Sequence, residues 1–536
     1  MAPDAELTGD ALGAQHIVGI ASDNRELVPG EVFAALPGFQ VHGARFASDA
    51  AQRGAAAILT DDDGAAISAD LGVPREVPVL VAENVRQHFG PIAAHIYDAP
   101  AEQMTTFAVT GTNGKTTTAY LLQHLLMALG LKAGLIGTVE MRSGTHVLPS
   151  KLTTPDAADL QAILATMAED DVQGLAMEVS SHALAMHRVD GVIYSVAGFT
   201  NLSQDHLDYH NTLEEYFAAK ASLFTPEHAT RGVILIDDEW GRKLAEIATI
   251  PVVTLRTPYD KAPPDDLKPD VDWQVTDIRA HGGGSEFTLQ GNDGTQIHTH
   301  TTLPGSFNVQ NSALALVMVL ESGISAAEVE AALEKVGGMN PVVPGRMEEI
   351  TKGNAAEPRV IVDFAHNTEA LREALSSLRS GLATDAGEKL VVLFGAAGER
   401  DQGKRPHMGA AAVDGADVVI LTDDDPHGED AEKIRADVRV GAETAVQQAL
   451  LAGRQVELRE IPERRDAIHI AISDAAPGDT VLLAGRGHET IQQVGHEDRY
   501  LDDRVEARAA LDARRERLAG AIGNSAVANG EQRADL

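Results

Sequence analysis

The chain has 536 residues, too many for a single hydrophobic core, so its length predicts two to four domains. Acidic residues outnumber basic ones by 80 to 43, and the resulting formal charge of −37 disfavours nucleic acid and anionic membranes as partners. The chain contains no cysteine, which excludes disulfide bonds, thiolate metal sites and a cysteine nucleophile.

The first residues show none of the patterns that direct a chain into a membrane. The segment "MAPDAELTGDALG" lacks a basic stretch followed by an apolar one, and no run approaches about 18 uninterrupted apolar residues. We therefore expect a cytoplasmic protein without membrane insertion, and a monomer is the simplest expectation.

Alternating apolar runs and helical stretches predict an α/β fold in three domains. Residues 1–100, with "EVFAALPG", "AAAILT" and "VPVLVAE", predict a small α/β domain. Residues 101–344 alternate strands such as "GLAMEVS" and "GVILIDD" with helices, which is typical of a central parallel sheet. Within them, "WQVTDI", "SEFTLQ" and "IHTHTTL" predict an antiparallel patch, followed by a helix that ends near Gly323.

The last part of the chain predicts a third, Rossmann-like domain over residues 345–520. Four apolar segments, "RVIVDFA", "LVVLFGA", "DVVILTD" and "DTVLLAG", indicate strands of a second doubly wound sheet. Residues 521–536 are small and polar, and we expect them to form a flexible tail.

The segment "AVTGTNGKTTTAYLL" (108–122) predicts a phosphate-binding loop between a strand and a helix. Gly111 and Gly114 would let backbone N–H groups converge on phosphate oxygens, and Lys115 would supply a positive charge. The Thr116 hydroxyl would then reach a magnesium ion. Val109 stands where a full Walker A loop has its first glycine, so an ordinary strand-to-helix turn remains the alternative. The loop alone does not identify the acceptor of the phosphate.

Further motifs resemble the Mur ligases of peptidoglycan synthesis, from about residue 20 to about residue 505. They are "TTP" (153–155), "MEVSSHAL" (177–184), "FTNLSQDHLDYH" (199–210), "AAKASLF" (218–224), "LPGSFNVQN", "GRME", "DFAH", "GERDQGKRP" and "GRGHE". Within the family the resemblance is to the ligases that add a diamino acid. It implies that ATP phosphorylates the D-glutamyl side-chain carboxylate of UDP-N-acetylmuramoyl-L-alanyl-D-glutamate, after which a diamino acid attacks with its amine.

The resemblance also implies which residues bind ATP and Mg²⁺. The catalytic residues would be Lys115, Glu178, His206 and Lys220. The metal ligands would be Thr116, Glu178, His206 and Lys220, the last carbamylated, although a structural glutamate and an ordinary helix lysine are the alternatives. The ATP contacts would be Gly111, Thr112, Asn113, Gly114, Lys115, Thr116, Thr117, Asn308, Arg346, Asp363 and His366.

The first domain would bind the UDP-sugar end of the substrate. The residues that match the family's contacts are Ser22, Asn24, Phe39, Gln40, Val41, Thr153, Thr154, Ser180 and Arg188. Arg188 has the clearest physical role, because a guanidinium can grip a phosphate or a carboxylate through two hydrogen bonds. The sequence departs from the family at Asn24, Leu152 and Met186, where Ser, Asn and Gln are common.

The third domain would bind the incoming amino acid through Arg400, Asp424, Asp425, Pro426, His427, Gly485 and Glu489. Members of the family that add meso-diaminopimelate have "DNPR" where this chain has Asp424-Asp425-Pro426-His427. The change removes an arginine that would grip a second carboxylate and adds a carboxylate that favours an ammonium group. The sequence therefore favours L-lysine over meso-diaminopimelate. Arg486 replaces the family's usual lysine, and a solvated acidic loop is the alternative for residues 423–430.

Three other functions fit parts of the sequence. A folylpolyglutamate synthase is disfavoured by the sugar-nucleotide motifs and by "DHLDYH", and an amidotransferase-associated muramyl ligase is disfavoured because the chain lacks four zinc-binding cysteines. A nucleotide switch or scaffold would leave the third domain without a role, and the chain has no guanine-reading "NKxD".

Overall fold

The computed structural model describes residues 6–8, 17–38, 41–148, 152–205, 207–258, 271–281, 283–351, 356–383 and 387–531. In this part of the chain the strands form three separate large sheets, each with helices packed against it. The predicted α/β class with mainly parallel sheets in three domains is confirmed. The domain limits at residues 100 and 344 stay predictions. None of the helices described here is both long and apolar enough to cross a membrane.

The N-terminal sheet is small and mostly parallel. Its described elements are β1 (Glu6–Thr8), β2 (Gly19–Ala21), β3 (Glu31–Ala34), α1 (Ala47–Gln52), β4 (Ala57–Thr60), α2 (Asp62–Asp70), β5 (Val79–Val81) and α3 (Val85–Ile96). The strand order is β1-β5-β4-β3-β2, and β1 alone in this order runs antiparallel to its neighbour. Phe33 and Ile58 are fully buried in its core.

The central sheet carries the predicted phosphate loop. Its described elements are β6 (Thr105–Thr110), α4 (Lys115–Ala128), β7 (Ala133–Ile136), β8 (Met141–Ser143), β9 (His146–Leu148), α5 (Ala157–Glu169), β10 (Gly174–Glu178), α6 (Ser181–Ala185), β11 (Val196–Phe199), α7 (Leu207–His210), α8 (Leu213–Ala221), β12 (Gly232–Leu235), α9 (Glu239–Ile247), β13 (Val252–Arg256), β14 (Trp273–His281), β15 (Gly284–Gly291), β16 (Gln296–Thr301), α10 (Ser306–Glu321) and α11 (Ala326–Val336).

These strands are ordered β16-β15-β14-β13-β12-β11-β6-β10-β7-β8-β9. The seven strands from β14 to β7 in this order pair in parallel, and the described strands at both ends pair in antiparallel fashion. The predicted antiparallel patch therefore extends the parallel sheet at one edge. Helix α4 is buried beside this sheet and packs against α10.

The turn between β6 and α4 requires glycine at two positions. Gly111 has φ +147° and Gly114 has φ +91°, in the region that residues with a Cβ atom rarely adopt. A Cβ atom on Gly111 would lie 1.9 Å from Thr200 Oγ1, and one on Gly114 would lie 2.4 Å from Asn311 Oδ1. The backbone can therefore turn sharply against its neighbours, and the N–H groups of Thr112 and Asn113 donate to the carbonyl and side-chain oxygens of Asn201 at 2.9 Å and 3.0 Å.

The C-terminal sheet is again mainly parallel. Its described elements are β17 (Glu348–Glu349), β18 (Arg359–Asp363), α12 (Thr368–Ser380), β19 (Leu390–Phe394), α13 (Lys404–Gly415), β20 (Val418–Leu421), α14 (Ala431–Leu451), β21 (Glu457–Glu460), α15 (Arg464–Asp474), β22 (Thr480–Ala484), β23 (Ile491–Val494), β24 (Glu497–Tyr500) and α16 (Asp503–Glu531). The order is β17-β18-β22-β19-β20-β21, and β23 and β24 form a separate hairpin.

The flexible tail predicted over residues 521–536 stays a prediction, although helix α16 covers much of this segment. The helix continues to Glu531, so residues 521–531 are helical. This segment contains no proline, and its alanines favour continuation of a helix that has already begun. Residues 532–536 lie outside the described part of the chain.

Candidate active site

A cavity with a volume of ≈ 720 Å³ lies between the central and C-terminal sheets. It is lined from one side by the loop after β6 and the end of β10, and from the other by residues that follow β18, β19, β20 and β22. Ligands of open parallel sheets bind at these carboxyl ends of the strands. The cavity is therefore the candidate active site.

The predicted phosphate loop forms one wall of this cavity. The lining includes Thr112, Asn113, Gly114, Lys115, Thr116 and Thr117, whereas Gly111 lies behind them. Lys115 Nζ donates hydrogen bonds to the carbonyl oxygens of Gly111 at 2.9 Å and Thr112 at 2.8 Å. Desolvation lowers the pKa of Lys115, although Glu178 opposes the shift. The lysine thus lies across the mouth of the turn, within reach of a phosphate bound there.

Glu178 lies at the end of β10 with 1% of its surface exposed. Its carboxylate accepts hydrogen bonds from Thr116 Oγ1 at 2.9 Å, from the Thr138 backbone N–H at 2.8 Å and from Thr138 Oγ1 at 3.0 Å. A carboxylate and a hydroxyl are hard oxygen donors of the kind that Mg²⁺ prefers. Thr116 and Glu178 could therefore hold this metal at the phosphate loop.

Lys220 is buried under the same loop, with 1% of its surface exposed. Its Nζ atom donates to the Gly111 carbonyl at 2.7 Å and lies 4.4 Å from the centre of the Tyr216 ring. Desolvation and the positive charge of Lys115 lower its pKa well below the ordinary value, while Asp205 opposes them. His206, the other predicted ligand of a second metal, lies outside the described residues.

Residues of the C-terminal domain and of the segment before it reach the phosphate loop. Arg346 Nη2 donates to Thr116 Oγ1 at 3.2 Å, and its guanidinium lies 4.1 Å from the centre of the Phe364 ring. Asn367 Nδ2 donates to Asn113 Oδ1 at 3.1 Å. His366 Nε2 lies 3.6 Å from the Asp205 carboxylate. These contacts hold the two sheets together around the cavity.

Asp363 and Asn308 also line the cavity. Asp363 accepts hydrogen bonds from the backbone N–H groups of Met347 at 2.7 Å and Ala365 at 2.9 Å, and desolvation raises its pKa. Asn308 is 2% exposed and donates from Nδ2 to the Pro304 carbonyl at 2.7 Å. The structure thus brings together the predicted ATP contacts from the central domain with Arg346, Asp363 and His366.

The predicted UDP-sugar contacts divide into two groups. Thr153, Thr154, Ser180 and Arg188 line the cavity, with Thr154 Oγ1 donating to the Glu178 carbonyl at 3.0 Å. Ser22, Asn24 and Val41 lie outside the lining, and Phe39 and Gln40 are outside the described residues. Asn24 donates from Nδ2 to Asp49 at 2.7 Å, and the Ser22 hydroxyl lies 3.4 Å from Asp156 Oδ2.

The predicted amino-acid contacts line another part of the same cavity. Arg400, Asp424, Asp425, His427, Gly485 and Glu489 belong to the lining, whereas Pro426 does not. Gly485 has φ +110°, and a Cβ atom there would lie 2.6 Å from Asp424 Oδ2. Carboxylate oxygens of Asp424, Asp425 and Glu489 all lie within 4.8 Å of one another. This part of the lining carries three carboxyl groups together with Arg400, and the part near the predicted phosphate loop carries Lys115 and Arg346 together with Glu178 and Asp205.

Asp425 is paired in a way that the sequence did not predict. Its carboxylate forms an ion pair with the fully buried Arg486, so it is not an uncompensated charge toward the cavity. Desolvation and the nearby Asp424 raise the pKa of Asp425. Desolvation, followed by the charge of Asp424, raises the pKa of Glu489 to about 8. The expected gain in ammonium affinity from the additional Asp425 carboxylate is therefore reduced by its pairing with Arg486.

Sequence reasoning missed several residues of the site. Lys404 lines the cavity with Nζ 3.6 Å from Asp205 Oδ1, and its place in "GERDQGKRP" is a signal that could have identified it. Asn367 follows "DFAH" directly and caps α12. No pattern in the sequence points to Thr138, because its contact with Glu178 arises only when neighbouring strands are in register.

Comparisons with known proteins agree over most of the chain. Three family descriptions match it: "Mur ligase family, catalytic domain" over residues 16–97, "Mur ligase middle domain" over 109–319 and "Mur ligase, glutamate ligase domain" over 345–487. The UDP-N-acetylmuramyl-tripeptide synthetase of Leifsonia xyli subsp. xyli is 42% identical over 94% of this chain and 93% of its own length.

A second relative is the UDP-N-acetylmuramoyl-L-alanyl-D-glutamate–2,6-diaminopimelate ligase of Streptomyces coelicolor, 42% identical over 93% of each chain. Among solved structures, a ligase with the same name superposes with a TM-score of 0.61 at 32% identity, covering 93% of this chain and 95% of its own. These similarities extend over all three domains.

The raised pKa of Glu489 predicts that Glu489→Gln stabilises the protein in a pH-dependent manner. The folded protein keeps the carboxyl protonated up to a pKa of about 8, above the ordinary value of 4.5, so the stability cost of glutamate grows as the pH rises between these values. Glutamine does not titrate and avoids this cost. The variant should melt on the order of 2–4 °C above the parent protein at pH 8, with little difference at pH 4.5.

Differential scanning fluorimetry at both pH values measures the effect, and Glu516→Gln, at an exposed position of α16, is the matched control. Equal melting temperatures of parent and Glu489→Gln at pH 8 would contradict the assigned environment of Glu489.

Proposed function

The chain belongs to the Mur ligase family, and on this premise we propose that it adds a diamino acid with one carboxylate, with L-lysine favoured, to UDP-N-acetylmuramoyl-L-alanyl-D-glutamate. It is an ATP-dependent amide ligase of UDP-N-acetylmuramoyl-tripeptide synthesis, a step of peptidoglycan synthesis. The observation that carries the proposal is the shared cavity, which the phosphate loop and the acidic acceptor end both line.

The first step is the transfer of the terminal phosphoryl group of ATP to the D-glutamyl side-chain carboxylate. An oxygen of this carboxylate forms the new bond to phosphorus, and ADP leaves. We assign the triphosphate to the loop from Gly111 to Thr117, with Lys115 and Arg346 as its cations. Arg188, with Thr153, Thr154 and Ser180, would orient the muramoyl peptide, and Asn308, Asp363 and His366 would contact the nucleotide.

The metal sites are part of the proposal. Thr116 and Glu178 would hold Mg²⁺ at the phosphates, and His206 with a carbamylated Lys220 would hold a second ion. The metal would offset the charge of the crowded phosphate and carboxylate oxygens. Ser22, Asn24, Phe39, Gln40 and Val41 would bind the UDP-sugar end of the substrate.

The second step is the attack of the amino group of the acceptor on the acyl carbon. The new carbon–nitrogen bond forms, inorganic phosphate leaves, and the amine loses a proton. Arg400 would bind the α-carboxylate of the acceptor, with Gly485 and the loop from Asp424 to His427 around its side chain. Asp424 and Glu489 would face the second, cationic amine.

The choice of acceptor depends on charge. Position 427 is a histidine, so a second carboxylate of the acceptor has no arginine there to form two parallel hydrogen bonds with it. Asp424 and Glu489 instead suit an ammonium group. Addition of meso-diaminopimelate is the second candidate function, because the Streptomyces coelicolor relative is named for that amino acid.

Replacement of the loop lysine, Lys115, or of the buried lysine, Lys220, tests the assignment of the catalytic residues. Lys115→Ala and Lys220→Ala should each reduce ligation by about 10³-fold or more, because the first removes a cation beside the phosphates and the second removes a proposed metal ligand. Formate or acetate should partly restore Lys220→Ala by refilling the carboxylate position, and should not restore Lys115→Ala. Tripeptide formation is followed by chromatography, with Lys335→Ala, at an exposed position of α11, as the control. Full activity of either variant would refute the assignment.

Acceptor preference is measured as phosphate release with the muramoyl dipeptide, ATP and one amino acid at a time. We expect kcat/KM for L-lysine to exceed that for meso-diaminopimelate by about tenfold or more, since charged hydrogen bonds contribute on the order of 1.5–3 kcal/mol. A clear preference for meso-diaminopimelate would replace the lysine assignment with the second candidate while leaving the ligase assignment intact.

A further inference from the structure

Arg486 lies beneath the acceptor end of the cavity, at the point where β22 leads into the hairpin of β23 and β24. It is fully buried, and it does not belong to the cavity lining. Its guanidinium forms an ion pair with Asp425, and Nη2 donates to the Ile491 carbonyl at 2.6 Å. The carboxylates of Asp424 and Glu489 lie farther away, at 3.6 Å and 4.0 Å.

The position of Arg486 excludes one role for it. An arginine next to the acceptor site could compensate for the missing arginine at position 427 by gripping a second carboxylate of the substrate. Arg486 has no exposed surface and lies behind Asp425, so its guanidinium is directed at the protein's own carboxylates. It therefore does not bind a second carboxylate of the substrate.

Arg486 also lies where the acceptor loop is fixed to the hairpin. Gln492 Nε2 donates to the Asp424 carbonyl at 2.6 Å, and the Gln493 N–H donates to Asp425 Oδ1 at 3.2 Å. The His427 N–H donates to the Gln493 carbonyl at 3.1 Å, and the Gly495 N–H donates to the His427 carbonyl at 2.7 Å. The carboxylate of Asp425 is thus shared between Arg486 and the backbone of β23.

The pairing determines how much negative charge remains for the substrate. Three carboxyl groups meet at this end of the cavity, and one guanidinium lies among them. Desolvation and the charge of Asp424 raise the pKa of Glu489 to about 8, while the charges of Arg486 and Arg346 oppose this shift. With Asp425 in the ion pair with Arg486, Asp424 and Glu489 are the two carboxyl groups of this cluster that are left to face an ammonium group of the substrate.

We propose that Arg486 is a specificity-determining positioning residue, which engages Asp425 in a buried ion pair and so reserves Asp424 and Glu489 for the side-chain ammonium of the acceptor. The inference rests on the proposed function, because it concerns the acceptor of that reaction. If Asp425 loses its charge, Arg486 turns to Asp424 as its nearest remaining strong partner and cancels the charge that attracts the substrate.

The test compares L-lysine with L-norleucine, which has nearly the same length and lacks the distal ammonium. In Asp425→Asn the ratio of kcat/KM for L-lysine to that for L-norleucine should fall by about tenfold or more, whereas KM for ATP and for the muramoyl dipeptide should stay within about twofold. A general structural defect would instead raise KM for ATP and for the muramoyl dipeptide as well. An unchanged ratio in Asp425→Asn would overturn the inference.

The double variant Asp425→Asn with Arg486→Met provides a second measurement. It removes both charges of the pair and leaves Asp424 uncancelled, so the ratio should return to within about threefold of the parent protein. A tenfold lower ratio in the double variant would contradict the inference even if Asp425→Asn does not fold. Failure of the parent protein to release phosphate with any diamino acid would instead refute the proposed function.

Discussion

The carboxyl ends of two parallel sheets converge on one cavity, and the chemistry depends on this convergence. The central sheet contributes the phosphate loop, and the C-terminal sheet contributes the acceptor loop that follows β20. Contacts from Arg346 to Thr116 and from Asn367 to Asn113 join the two sides. An acid bound on one side can then meet an amine bound on the other within the same cavity.

Charge is distributed unevenly along this cavity, although the chain as a whole is strongly acidic. Lys115 and Arg346 line it near the predicted phosphate loop, beside Glu178 and Asp205, and Asp424, Asp425 and Glu489 line it at the proposed acceptor site. In a cavity of low dielectric such fixed charges act more strongly than on the surface. The arrangement suits a reaction that joins an anionic donor to a cationic nucleophile.

Local patterns were sufficient to predict the three-domain α/β class and the glycine turn between β6 and α4, whereas phosphate binding by this turn stays a prediction. Gly111 and Gly114 could be identified because their positive φ angles leave few alternatives to glycine. The helical continuation of residues 521–531 was not predicted, because weakly polar segments with alanine are compatible with either a tail or a helix. The N–H contact of Thr138 with Glu178 depends on strand register, which the local sequence does not encode.

The pairing of Asp425 with Arg486 illustrates the same limit at the acceptor end. The two residues are 61 positions apart and were considered singly, as an additional carboxylate and an unexplained substitution. Only the fold brings them together, and their ion pair changes the role that we assign to each residue. The ion pair of Lys404 with Asp205 likewise joins residues that are far apart in the chain, and it follows from packing between domains.

The most direct test of a shared cavity in which ATP activates the acid is isotope transfer from the substrate. The D-glutamyl side-chain carboxylate of the muramoyl dipeptide is labelled with heavy oxygen, and the phosphate released with L-lysine or another diamino acid that the protein accepts is analysed by mass spectrometry. If the carboxylate is phosphorylated before the amine attacks, each phosphate released carries one labelled oxygen. Tripeptide formation with unlabelled phosphate would contradict this account.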